Sequence, residues 1–304
     1  MRHMESELGV LRKGAAFELL SETGGSLVIG EAASMIVTRY VLAAELGRDQ
    51  RVLEIACAGG MGTGLLRESA ASVVAGDING PLLRLAAAAA PSDVCLVQFD
   101  AAALPFASAS FDFVLCMECT YYINDTEALF TEISRVLARD GKLLIVNANP
   151  RRPDFITSPL SASYHAPFEL AEDLGRRGFT VSVWGAFPVM PREAGTIARL
   201  IAAASRSLRA GVARLGLVPT TLGGRARLKR LVHWRLTRLP PLLLRTTAPL
   251  ARLEPITSQS EENVKVYYAL AAKGTHESPA LPPGFHSSTR ERTIRLSQRT
   301  HRRQ

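Results

Sequence analysis

Cysteine is scarce in this chain, four residues in 304, and the four are not spaced as a disulfide framework. Cys57, Cys95, Cys116 and Cys119 lie inside apolar, strand-like runs, so reduced thiols in a cytoplasmic protein are expected. Cys116 and Cys119 form one C-x-x-C pair with no histidine nearby, too few ligands for zinc, and no metal is expected. Aromatic residues make up only 6% of the chain and build no platform interleaved with basic residues, so no nucleic acid is expected as a partner. No apolar run approaches the roughly 18 residues of a membrane span. The opening MRHMESELGVLRK lacks the apolar stretch and small-residue cleavage site of a signal peptide. A soluble globular protein remains, 47% hydrophobic and long enough for one large domain or two small ones.

Its net charge of +8 is unevenly spread. Residues 1–189 carry 15 Lys/Arg against 22 Asp/Glu, whereas residues 190–255 carry 13 against 2 and residues 275–304 carry 6 against 2. The chain reads as an acidic body with a basic insert and a basic tail.

Within the body, apolar runs alternate with amphipathic ones. Strands are predicted at 51–57, 72–77, 94–100, 110–117, 142–149, 179–187 and 263–274. Helices are predicted at 31–47, from the glycines after residue 58, and at 80–90, 125–141 and 167–178. This alternation implies an α/β fold, a doubly wound and mostly parallel sheet of seven strands, Rossmann-like, with a helical basic insert before the last strand. Ligands of such sheets bind at the C-terminal ends of the strands, near the point where strand order reverses. The loop after the first core strand, Asp77 at the end of the second and Asp100 after the third all fall there.

The first loop narrows the ligand. In VLEIACAGG (52–60), Glu54 stands inside a buried-looking strand just ahead of a run of small residues. A phosphate wants backbone N–H groups and no carboxylate, so Glu54 works against a pyrophosphate and suits a cation. Ala56 and Ala58 occupy the first two glycine positions of a G-x-G-x-x-G fingerprint, which weakens a dinucleotide further. An ammonium together with a ribose and an adenine fits better: Asp77 is placed to accept both ribose hydroxyls, and Asp100 to take the adenine amino hydrogens. Each acid also has a plainer reading, as a strand-end ion-pair partner for Glu54, a turn residue for Asp77 and a helix cap of AAAL for Asp100.

Together VLEIACAGG, VVAGDIN (73–79) and FDAAALPFASASFDFVLC (99–116) resemble class I S-adenosylmethionine-dependent methyltransferases of the type 11 kind. The resemblance covers about residues 35–190 and the final strand. It implies S-adenosyl-L-methionine as cofactor, with Glu54 toward the methionine ammonium, Gly60 allowing close approach, Asp77 at the ribose, and Asp100 with Ala101 at the adenine. Tyr40, Ala56, Ala58, Ile78 and Met117 complete the expected cofactor set. Ala56 and Ala58 depart from the family's glycines. TRYVLAAE, MECTYYI, NANPRRPDFITSPLSASY and GAFPV are similar to one bacterial subgroup often associated with polysaccharide and glycoconjugate assembly.

Methyl transfer is an in-line displacement that needs a positioned nucleophile and, for a hydroxyl, a proton acceptor. CMECTYYINDT (116–126) lacks the N/D-P-P-Y signature of enzymes that methylate base amines. Glu118 is the leading acid/base candidate, or else a partner of the cofactor or of Arg39. Tyr121 and Tyr122 are candidates for an acceptor wall, one of them for the core. His165 is a nominal base or a solvated loop residue. Arg39 and Tyr40 form a lid over the cofactor or a plain helix face.

Five segments follow: an N-terminal helical segment or lid (1–50), the cofactor-binding core (51–190), the basic insert (191–255), the final strand (256–274) and a disordered basic tail (275–304). The insert alternates arginine with apolar residues around Ile197, Leu200, Leu231 and Trp234. It is an acceptor cap for an anionic small molecule or glycoconjugate, a peripheral contact with the inner membrane face, or a cap with solvated basic faces.

Overall fold

The computed structural model describes residues 23–158, 160–189, 237–243 and 250–285. The two helices expected within 193–239 lie almost wholly outside these residues, as do the first 22 residues and the tail beyond 285.

In chain order the strands are β1 (Leu27–Val28), β2 (Arg51–Ile55), β3 (Ser72–Asp77), β4 (Cys95–Gln98), β5 (Phe111–Met117), β6 (Leu137–Ala148), β7 (Phe179–Pro188), β8 (Thr237–Arg238), β9 (Glu254–Pro255) and β10 (Val264–Lys273). The helices are α1 (Gly30–Leu46), α2 (Thr63–Ser69), α3 (Gly80–Ala89), α4 (Thr126–Val136) and α5 (Pro167–Arg176). One eight-stranded sheet runs β4-β3-β2-β5-β6-β10-β7-β9. From β4 to β6 every pairing is parallel, and β10 inserts antiparallel between β6 and β7. Strand order reverses between β2 and β5, which opens the crevice where the expected site lies.

The doubly wound expectation is met with one difference. β9, two residues from the end of the expected insert, pairs with β7 and makes the sheet eight-stranded instead of seven.

Burial explains why the apolar runs became strands. Leu53, Val114, Leu115, Leu144 and Ile145 are almost wholly inaccessible, as expected of parallel strands covered on both faces. One face meets α1, whose residues from Ala33 to Ala44 are nearly all buried, so this helix is enclosed on most sides. The other face meets α4 and α5 through Leu129, Phe130, Ile133, Leu170 and Leu174. Asp125 caps α4 by accepting from the Ala128 N–H at 2.9 Å, and Asn79 caps α3 from Leu82 at 3.1 Å.

Two expectations are corrected. The helix predicted to run to Gly141 stops at Val136, because Lys273 Nζ donates to the carbonyls of Ser134 (2.5 Å) and Leu137 (3.2 Å). A cation at the helix end satisfies groups the helix would otherwise have used. The segment from 275 to 285, assigned to the tail, is packed: Leu281 and Phe285 are buried, and Phe285 O accepts from Leu253 N at 3.0 Å.

Candidate functional site

The loop after β2 is wound tightly. Ala56, Ala58 and Gly60 all adopt positive φ, at 59°, 49° and 68°. Left-handed backbone costs an alanine roughly 1–2 kcal/mol, so two strained residues stand where glycine would sit freely. The strain is held by hydrogen bonds from Cys57 N to Gly76 O (2.9 Å) and from Ala58 N to Asp77 Oδ2 (2.9 Å). Gly62 allows a close approach, since a Cβ there would lie 1.8 Å from the Tyr40 ring. α1 therefore rests directly on the loop.

Glu54 points from β2 into this contact and is 2% exposed. Its Oε1 accepts the Tyr40 hydroxyl at 2.7 Å, and its Oε2 is buried without a hydrogen-bond partner among the described residues. Burial pushes the carboxyl up to about 7, while the Tyr40 hydrogen bond and the nearby Arg39 charge pull it back. A buried carboxylate oxygen is costly unless a donor meets it, and a cationic donor suits it best.

Asp77 ends β3 beneath the same loop, 8% exposed. Oδ1 accepts from Asn79 N and Oδ2 from Ala58 N, each at 2.9 Å. Burial raises its pKa, and the backbone N–H groups of Asn79, Ala58 and Ile78 oppose that rise. Ile78 projects beside it, 49% exposed. Asp100 is exposed and accepts from Ala102 N at 2.9 Å within a turn closed by an Asp100–Ala103 bridge, so no helix forms at AAAL and the helix-cap reading is corrected to a turn. Ala101 packs half-buried against the core, and Met117 is buried at the end of β5.

Beyond β5 the chain turns at Glu118, which also has positive φ (54°), and its N–H donates to Val146 O at 2.6 Å. Tyr121 donates its hydroxyl to Glu118 Oε2 at 2.6 Å. Tyr121 is the tyrosine that packs inward, stacked on Tyr164 at 4.4 Å, with Phe155 edge-on to Tyr164 at 4.7 Å. Tyr122 stays half-buried and donates to Ser158 Oγ at 3.1 Å.

His165 is not brought to this cluster. Its ring lies edge-on to Phe130 of α4 at 6.2 Å, and its carbonyl accepts the Tyr267 hydroxyl at 3.0 Å. Cys116 and Cys119 are free, buried thiols with Sγ atoms 2.9 Å apart.

Sequence reasoning missed Tyr164 and Phe155. Their signal is two aromatic residues in an otherwise polar segment. It also missed the buried network in which Asn147 Nδ2 donates to Thr120 Oγ1 (2.7 Å) and Tyr267 Oη (3.1 Å) beneath Glu118.

Residues 53–145 match the family model described as a methyltransferase domain, a span that holds Glu54, the strained loop, Asp77, Asp100 and Glu118. Over this span, about a third of its length, the chain is similar to methyltransferase domains. S-adenosylmethionine is the cofactor of such domains, and the chemistry of the unpartnered Glu54 Oε2, an acceptor, is compatible with an ammonium donor. No curated protein matches the chain by sequence. Among solved structures, it is similar to a S-adenosylmethionine-dependent methyltransferase of Thermotoga maritima, titled a possible histamine N-methyltransferase. That match has 12% identity and TM-score 0.50, over 80% of this chain and 90% of the other. It is also similar to the [4+2]-cyclase SpnF at 16% identity and TM-score 0.52, over 87% of this chain and 93% of that one. At these identities the two structures speak for the methyltransferase fold alone.

Proposed function

We propose that this methyltransferase moves the methyl group of S-adenosylmethionine to a hydroxyl of a small molecule, in particular a sugar or glycoconjugate. The observation that carries the reading is the Glu118–Tyr121 pair, a carboxylate held at the end of β5 by a 2.6 Å hydrogen bond and a left-handed backbone. S-adenosylmethionine, when bound, supplies a methyl carbon made electrophilic by its sulfonium.

The protein's work is positioning and proton removal. Glu54 holds the ammonium, Asp77 the ribose hydroxyls, and Asp100 with Ala101 the adenine edge. Ile78 and Met117 pack against the adenosyl moiety, and Tyr40 keeps Glu54 aimed. Glu118 takes the proton of the acceptor hydroxyl as its oxygen attacks, with Tyr121 fixing the carboxylate orientation. The Tyr121, Tyr122 and Tyr164 rings offer flat apolar surface to a sugar face. The basic composition of the insert supports an anionic acceptor, and the enzyme acts in the cytoplasm, peripherally at the inner membrane face if the acceptor resides there.

Release of S-adenosylhomocysteine on incubation with a panel of hydroxylated sugar acceptors tests the reading. Stoichiometric product with at least one acceptor is expected. Tight cofactor binding with no turnover across hydroxyl acceptors, alongside turnover of amines, would overturn it.

A further inference from the structure

A cavity opens beside α1 at the C-terminal end of β7. It has a volume of about 460 Å³ and is lined by Phe187, Pro188, Leu250, Ala251, Ile256 and Val264, among others. Small-molecule sites run from about 300 to 1,000 Å³ and are mostly apolar with a few polar groups, and this cavity has that character.

Its position relates it to the cofactor loop. Ser34 of α1 also lines it, and Tyr40, six residues further along α1, touches Glu54. At 1.5 Å per residue the two contacts are about 9 Å apart on one helix. Across the sheet, β5 and β7 are separated by β6 and β10, so Glu118 is about 14 Å from the cavity at ordinary strand spacing. One extended molecule of modest size spans that distance.

The wall is held under strain. Phe187 has φ 58°, an outlier for a bulky side chain, yet it is only 9% exposed. Ala186 pairs with Val266 and Pro188 with Val264, leaving Phe187 out of the ladder between them. Gly185 makes room for this, since a Cβ there would lie 2.6 Å from Val264 Cγ1. Strained residues persist where surrounding structure enforces them, and they concentrate at binding sites.

At the rim stands one exposed cation. Arg252 makes no hydrogen bond or ion pair among the described residues, while Glu254 on the same rim already has an interaction of its own. An apolar cavity with an uncommitted guanidinium at its mouth selects an amphipathic anion.

We infer that this cavity takes the apolar portion of the methyl acceptor, whose anionic group meets Arg252 while its hydroxyl reaches Glu118. The inference rests on the methyltransferase reading and narrows its substrate to amphipathic anions, such as an apolar group joined to a sugar through a phosphate or carboxylate.

Fluorescence titration of the full chain tests it with two probes, the anion 1-anilinonaphthalene-8-sulfonate and the uncharged N-phenyl-1-naphthylamine. Saturable binding of both is expected. Ala251→Trp, which fills the cavity, should weaken both at least tenfold. Arg252→Glu should weaken the anion about tenfold and leave the uncharged probe unchanged. S-adenosylmethionine affinity, measured by calorimetry, should stay within twofold in both variants. Anion binding unaffected by Arg252→Glu overturns the inference, and so does probe binding that survives Ala251→Trp in a folded variant. If Ala251→Trp does not fold, the charge-selective response of Arg252→Glu decides alone. Absence of S-adenosylmethionine binding in the unsubstituted chain would instead overturn the methyltransferase reading, so the two failures are separable.

Discussion

Tyr40 donates its hydroxyl to Glu54 Oε1 at 2.7 Å, joining the middle of α1 to the acid that precedes the cofactor loop. On the proposed function this bond brings α1 to the cofactor, since it fixes Glu54 through Oε1 and not through Oε2. Tyr40→Phe should lower S-adenosylmethionine affinity about three- to tenfold, since a hydrogen bond to a charged group contributes about 1.5–3 kcal/mol and part of that is recovered by water. Calorimetric affinity of the variant checks this, and an unchanged value would mean Glu54 holds its orientation alone.

The raised pKa of Glu54 sets a pH dependence. Its folded-state value of about 7 lies above the ordinary 4.5, so the folded protein binds more protons than the unfolded chain between those values. Stability from this group therefore falls as pH rises from about 4.5 to 7, by about 3 kcal/mol in total. Cofactor binding runs the other way, because an ammonium wants the carboxylate. Affinity should rise between pH 5.5 and 7, with proton release on binding at the lower pH. Titrations in two buffers of different ionisation enthalpy measure that release, and Glu54→Gln should abolish it.

Ala56 and Ala58 hold left-handed backbone that glycine adopts freely. Relief of roughly 1–2 kcal/mol of strain at each is partly offset by about 0.4–1 kcal/mol of extra unfolded-state entropy. Replacing both with glycine should raise stability by about 1 kcal/mol, read as a higher urea midpoint. A lower midpoint would show that the two methyl groups contribute packing that exceeds the strain.

Glu118→Gln should cut kcat about a hundred- to ten-thousandfold, the usual range for a general base, with little change in cofactor affinity. Tyr121→Phe should shift the pH profile of kcat without abolishing turnover. Equal losses in kcat and cofactor affinity in Glu118→Gln would reassign this residue to cofactor binding.

Most of the sheet was legible because its strands are buried on both faces and read as short, continuous apolar runs such as Phe111–Met117. The placement of Glu54, Asp77 and Asp100 in or just after the ends of β2, β3 and β4 was legible because short apolar runs mark those strands. What escaped depends on distant partners. The stop of α4 is made by Lys273, more than 130 residues away, while the local pattern continues as helix. Leu281 and Phe285 sit among prolines and small residues, a composition that reads as disorder until a core to receive them is in place. Tyr164 stacks on Tyr121 only because the segment after β6 folds back over β5. The ring of His165 turns toward Phe130, a direction set by α4 and invisible in the local sequence.

The central claim is that S-adenosylmethionine binds at the strand ends, on Glu54 and Asp77. Calorimetric titration of the full chain and of Asp77→Ala tests it most directly. Loss of charge-assisted hydrogen bonds of about 1.5–3 kcal/mol predicts one-to-one binding in the parent and affinity roughly ten- to a hundredfold weaker in a folded variant. Unchanged affinity in Asp77→Ala, or no binding by the parent chain, would contradict it.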